Sequence, residues 1–278
     1  MSRIAGRFQA LAEEGRAALV AYVVAGDPHP DVTVALLHDL VDAGADILEL
    51  GIPFSDPMAE GPVIQLAHER ALAHDTSLGD ALQMVREFRR DDPDTPVLFM
   101  GYANPVERMG YAAFADAAYA AGVDALLTVD LPPEEVAGIN EELRRVGMDN
   151  IFLVAPTTPA ERVGRIVAEA SGFIYCVSLK GVTGAGHLDT EDVARRVEAI
   201  RARSGLPVAV GFGIKDARSA GEIAAVADGV VVGSAVVDAA AGALRDGGDH
   251  AAARAAAKAL LADIRGGIDA AARAGVAS

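Results

Sequence analysis

Short apolar runs that do not alternate cleanly with polar residues punctuate the chain at residues 18–24, 46–50, 97–101, 125–129, 151–154, 173–177, 208–210 and 229–232. A strand covered on both faces reads this way, because neither side of its pleat meets water. Longer stretches lie between them at 31–43, 78–90, 111–121, 133–146, 159–170, 190–203 and 217–226, each with the spacing of an amphipathic helix. In 192–203, for example, Val193, Val197 and Ile200 share one face while Arg195, Arg196 and Glu198 take the other. Strand and helix therefore follow one another along the chain. Such an order predicts an α/β fold that closes as a (β/α)8 TIM barrel, with an open doubly wound sheet as the alternative that pattern alone leaves.

Two segments stand outside the repeat. An N-terminal helix over residues 4–14 is placed to plug the bottom of the barrel, and an Ala-rich helix over 251–272 follows the last strand. Ala and Arg dominate the second, which predicts high helix propensity but a weak core face. A length of 278 residues suits a barrel of this type, so residues 1–278 are expected to form a single domain.

Composition narrows the partners. A net charge of −16 argues against nucleic acid, whose phosphates are met by clustered Lys and Arg. The longest apolar run, 17–25, is far short of the ~20 residues that span a bilayer, so a soluble cytoplasmic protein without a membrane partner is expected. Cys176 is the sole cysteine, and His29, His38, His68, His74, His187 and His250 are scattered along the chain, a distribution that predicts neither a disulfide nor a metal site. No cofactor is implied. The same negative charge would repel a phosphorylated substrate at long range, so any phosphate site must be local and built largely from backbone N–H groups.

Catalytic groups of a (β/α)8 barrel sit at the carboxyl ends of the strands and in the loops after them. The second strand ends in Ile47-Leu48-Glu49-Leu50-Gly51, a lone carboxylate among apolar neighbours. Burial disfavours its charged form and raises its pKa, which suits a group that both gives and takes a proton near neutrality. The bland alternative is a buried acid paired with Lys or Arg across the barrel. The loop that follows, residues 51–62, holds three prolines and two more acids, Asp56 and Glu60, either of which can return over the barrel mouth. Glycines then cluster on one rim: Gly181, Gly184 and Gly186 after strand six, Gly211 and Gly213 after strand seven, and Gly233-Ser234 after strand eight. Glycine lets backbone N–H groups approach an anion, and a helix starting at Ser234 adds partial positive charge, so this rim is the expected phosphate site.

Taken together these stretches resemble the alpha subunit of tryptophan synthase, through nearly the whole chain. The most specific is Glu49-Leu50-Gly51-Ile52-Pro53-Phe54-Ser55-Asp56-Pro57, followed by Gly61-Pro62 and Ile64-Gln65. Support comes from Ala25-Gly26-Asp27-Pro28, Tyr102-Ala103-Asn104-Pro105, Gly181-Val182-Thr183-Gly184 and Gly211-Phe212-Gly213-Ile214. The resemblance implies cleavage of indole-3-glycerol phosphate to indole and glyceraldehyde 3-phosphate in tryptophan biosynthesis. It places Glu49 on the proton-shuttling glutamate, with Tyr175 and Thr183 at the active site and its lid. It lines the indole pocket with Tyr22, Met100, Tyr102 and Phe212. Gly184, Gly213, Gly233 and Ser234 fall on the phosphate cradle. Asp56 and the loop around Asn104 fall on the contact surface for a beta chain, in an alpha2-beta2 complex.

One position departs from the family. Where the signature carries aspartate, this chain carries Glu60, the candidate partner of the indole nitrogen. The added methylene moves the charge by roughly 1 Å unless the loop adjusts, and a displacement of that order costs about 100-fold in rate. Two alternatives follow: a stand-alone indole-3-glycerol phosphate lyase, or a weakly active allosteric partner of a beta chain. Lys180 invites a Schiff-base reading, but it lies in the glycine-rich loop 180–189, which is instead expected to close over the site.

Overall fold

The computed structural model describes residues 2–178, 190–211 and 213–276. Its elements run α1 (Arg3–Glu13), β1 (Ala18–Val24), α2 (Pro30–Asp42), β2 (Ile47–Gly51), α3 (Pro62–Leu72), α4 (Leu78–Phe88), β3 (Val97–Gly101), α5 (Ala103–Met109), α6 (Tyr111–Ala121) and β4 (Ala125–Thr128). They continue α7 (Ala137–Val146), β5 (Asp149–Val154), α8 (Ala160–Glu169), β6 (Ile174–Val177), α9 (Thr190–Ser204), β7 (Val208–Gly211), α10 (Ala217–Ala224), β8 (Gly229–Val232), α11 (Ser234–Arg245) and α12 (His250–Val276). The strands pair in parallel and in sequence order, and β8 returns to β1, so the sheet is a closed barrel rather than an open one.

Closure explains why the strands read as continuous apolar runs. On β1, Ala18 and Val20 face the interior while Leu19, Ala21 and Val23 meet the surrounding helices. The same alternation puts Ile47, Leu98, Ala125, Leu127, Ile151, Ala209 and Val231 inside and Leu48, Phe99, Leu126, Phe152, Val210 and Val230 outside. Both faces are dry, so period two is present in space but hidden in hydropathy.

The extra N-terminal helix does plug the bottom. Ser2 caps α1 by accepting the Ala5 N–H, and Ile4, Phe8 and Leu11 bury against the interior layer, Phe8 meeting Phe173 with ring centroids 5.5 Å apart. The expectation for the C-terminal helix needs correction. Ala253, Ala257, Leu261, Ile264 and Ile268 of α12 are fully buried against the core, and the helix packs along α10, α11 and α2. Small side chains permit close approach: a Cβ at Gly267 would collide with the Ala217 carbonyl of α10. An Ala stripe thus makes a tight seam where composition alone suggests a weak one.

Two helices were not apparent from the pattern. In α3, Pro62 occupies the first turn and the buried stripe is Ile64, Ala67, His68 and Ala71, a weak apolar signal straight after a loop. The segment around Asn104, expected as loop, is the short helix α5, with only Val106 buried. Among the described residues no helix is long and apolar enough to cross a membrane.

Candidate active site

Register places the site. Tyr22 on β1 pairs with Glu49 on β2, so two inward-facing positions stand side by side near the C-terminal mouth. Met100 from β3 and Tyr175 from β6 face the same space, and all four line a cavity of about 280 Å³ with Glu60, Gly213, Gly233 and Ser234. Eight of the residues singled out in the sequence therefore surround one cavity. Ile64 and Ile214, named in the sequence only within the family's motifs, line it as well, and so does Val231; none of the three had been given a site role. Ile64 belongs to the buried stripe of α3, so recognising that helix would have been the signal for it.

Larger cavities exist, and in each an acid of the lining is already held by a partner. The one of about 380 Å³ at the barrel bottom holds Arg201 and Asp228, which pair with each other at 3.0 Å. Another, of about 580 Å³, contains Asp80, whose carboxylate accepts from Ser77 at 2.6 Å and 2.9 Å.

Glu49 differs from those acids. It is 1% exposed, and its Oε1 has no hydrogen-bond partner. Burial, reinforced by the negative charge of Glu60, pushes its pKa up to about 8. No Lys or Arg among the described residues forms an ion pair with it, which removes the paired-acid alternative there. Burial pushes Glu60 up to about 7. Both carboxyls are thus raised toward neutrality, Glu49 the further of the two because the charge of Glu60 adds to its burial. Burial, followed by Glu60 and then Glu49, raises Tyr22 well above the ordinary phenol range; burial and then Glu49 do the same for Tyr175. Both phenols remain protonated and able to donate.

Each phenol lies over a strand-ending glycine. A Cβ at Gly51 would collide with Tyr22 Oη, and one at Gly211 with Tyr175 Oη. These glycines make room for the rings that flank the acids.

The loop between β2 and α3 delivers Glu60. The Phe54 ring stacks on Tyr102 with centroids 4.7 Å apart and 20° between planes, and Tyr102 Oη accepts the Ala59 N–H at 3.1 Å. Next to Ala59, the Glu60 N–H donates to Pro57 O at 3.1 Å, and the Glu60 carbonyl accepts from Gln65 Nε2 at 2.9 Å. Tyr102, 2% exposed, stands beneath this loop rather than in the cavity lining. The loop is braced at several points, which leaves the longer side chain of Glu60 little chance to be absorbed by a backbone shift.

On the opposite rim, Gly213 adopts φ +76°, the left-handed region that favours glycine, and Gly233 caps α11 without any side-chain cap. The first-turn N–H groups of α11 thus remain available to an anion beside Ser234. Thr183, Gly184 and Phe212, together with the loop 180–189, lie outside the described residues.

Asp56 is exposed at the loop tip, its carboxylate accepting from Ser55 Oγ at 2.6 Å, and Asn104 is exposed on α5. Met58, at 79% exposure, and Met109 are among the exposed large hydrophobic side chains. The histidines are less scattered than their sequence positions: His29 meets His74 and His250 with ring centroids 4.5 Å and 5.0 Å away. Among the described residues, no group of three or more His, Cys, Asp or Glu is arranged to hold a metal.

Comparison with known proteins bears on this geometry. The family model described as tryptophan synthase alpha chain matches residues 8–264. A tryptophan synthase alpha chain of Thioalkalivibrio sulfidiphilus is 58% identical over 269 residues, covering 97% of this chain and 100% of the relative. Another, of Chromobacterium violaceum, is 61% identical over 237 residues, covering 85% and 90%. The crystal structure of tryptophan synthase subunit alpha from Legionella pneumophila superposes with a TM-score of 0.89 at 44% identity, covering 97% of this chain and 99% of that one.

Proposed function

We propose a chemistry for these residues from one premise: the chain belongs to the tryptophan synthase alpha chain family, lyases that cleave indole-3-glycerol phosphate to indole and glyceraldehyde 3-phosphate. The observation that carries the assignment of roles is the pair Glu49, buried, and Glu60, half-buried, which face one cavity with no ion pair to a cation among the described residues.

Retro-aldol cleavage requires a proton on indole C3, removal of the proton from the side-chain hydroxyl, and stabilisation of positive charge at the ring nitrogen. Glu49 starts protonated, gives its proton to C3, and then takes the hydroxyl proton as the C–C bond breaks and the aldehyde forms. It ends as it began. Glu60 stays ionised through the step and accepts the indole N–H. The higher pKa of Glu49 suits the first role, and the lower pKa of Glu60 suits the second. The pocket of Tyr22, Met100 and Tyr175 holds the ring. Gly213, Gly233 and Ser234 bind the phosphate through backbone N–H groups and the positive end of α11, which lets an acidic protein take an anionic substrate. Binding energy from the phosphate is then available to orient the reacting carbon.

Members of this family normally pair with a beta chain. We extend that pairing to this chain as an alpha2-beta2 complex in the cytoplasm, with Asp56 and Asn104 on the contact face. Their exposure beside Met58 and Met109 supports this reading.

Indole release from indole-3-glycerol phosphate by the purified chain, alone and with excess tryptophan synthase beta chain, tests the proposal. Slow release alone and a large rise with the partner is the expected result. Fast release alone would identify a stand-alone lyase. No release in either condition, with the beta chain nonetheless stimulated, would leave only an allosteric role.

A further inference from the structure

The β2–α3 loop is anchored on its inner side by a histidine that none of the roles above uses. His68 lies on the buried stripe of α3, 3% exposed, and its Nδ1 accepts the Phe54 N–H at 3.2 Å. An imidazole nitrogen accepts only when it carries no proton, so the ring is neutral with its proton on Nε2. Nε2 is buried without a partner. Burial pushes the pKa down to about 4, so the acceptor is present throughout the neutral range. From this anchor a short chain of contacts leads to the reacting groups: the Phe54 ring stacks on Tyr102, Tyr102 accepts the Ala59 N–H, and Ala59 precedes Glu60 in the cavity lining.

We propose that His68 is a positioning residue for the lyase reaction, holding the Phe54 end of the loop so that the Glu60 carboxylate stands over the cavity opposite Glu49. The inference rests on the catalytic reading above and adds a residue to it. Position 68 then needs a hydrogen-bond acceptor rather than a base. Asparagine can supply one, because its Oδ1 occupies nearly the place of an imidazole Nδ1, whereas leucine keeps the bulk and supplies none.

Three kinetic measurements and one of exchange test it, the kinetics on the full chain assayed with the beta chain. His68→Leu should lower kcat about tenfold or more with KM little changed, since a misplaced carboxylate costs rate while the phosphate rim on the other side is untouched. His68→Asn should restore kcat to within about threefold of the parent, on the same scale. In the background of Glu60→Gln, His68→Leu should cost little further, because the two changes act through one carboxylate. Hydrogen exchange at the Phe54 amide provides a readout independent of turnover: fast in His68→Leu, slow in the parent and in His68→Asn. Unchanged exchange in His68→Leu, a leucine variant with parental kcat, or an asparagine variant as impaired as the leucine one would each overturn the proposal. If the parent chain does not cleave the substrate, the catalytic reading fails while the exchange measurement still decides the anchor.

Discussion

The two ends of β2 treat a buried carboxylate in opposite ways. At the lower end Asp46, 4% exposed, accepts the Leu19 N–H at 2.9 Å and pairs with Arg265 at 3.0 Å and Arg16 at 3.3 Å. Burial pushes its pKa up, and those partners pull it back. Asp124, just before β4, is likewise ion-paired, to Arg89 at 2.8 Å and to Arg3 at 2.7 Å. Three residues above Asp46, Glu49 has no ion pair among the described residues and no partner for Oε1, and the charge that acts on it is that of another acid, Glu60. The described residues neutralise the buried acids at the bottom of the barrel and leave Glu49 at the top without an ion pair, a contrast that fits the proton-transfer role proposed for it.

That contrast can be broken by exchanging what each end loses. Glu49→Gln should cut indole release by about 10³-fold, within the range of general acid–base groups, while the fold stays intact. A variant that keeps parental turnover would remove Glu49 from its role. Arg265→Met should do the reverse. It strips one cation from Asp46 and should lower unfolding stability by about 3 kcal/mol in denaturant melts, with kcat little affected. Loss of activity at full stability would mean that the lower end is not merely structural.

The most gradual signal is a slope. Glu49 has an ordinary value of 4.5 and is pushed up to about 8 in the fold. Between those values the unfolded chain has released a proton that the folded chain keeps. Stability attributable to this group is therefore greatest at low pH and is lost as pH rises through the window, by about 1.4 kcal/mol per pH unit for one proton. The difference in melting stability between Glu49→Gln and the parent should grow with pH across that window and level off above it. A difference independent of pH would mean that Glu49 is ionised in the fold as it is in the unfolded chain.

Much of the architecture was legible because strand and helix signals repeat. Helices over 111–121 and 217–226 were read with bounds close to those of α6 and α10, and β1, β3 and β8 match the predicted runs. Helix α3 was missed since its buried stripe includes His68, a residue that reads as polar until its neighbours are known. The seam of α12 was undervalued for a related reason: alanines and glycines contribute little transfer energy one by one, yet they let helices approach closely.

The sequence by itself determined the alternation of strand and helix, the acid at the end of the second strand and the glycine-rich rim, while closure of the sheet into a barrel was decided by the structure. These follow from local chemistry: both-face burial makes a strand apolar throughout, a lone carboxylate in such a run is conspicuous, and glycine is read directly. Only the tertiary structure decided what surrounds each of them. It put Tyr22 beside Glu49 through strand register, set Tyr102 under the loop rather than in the cavity, and turned His68 toward the Phe54 backbone. It also separated the neutralised Asp46 from the unpaired Glu49. Partners contributed by residues as distant as Arg265 are chosen by packing, and no local pattern of residues encodes that choice.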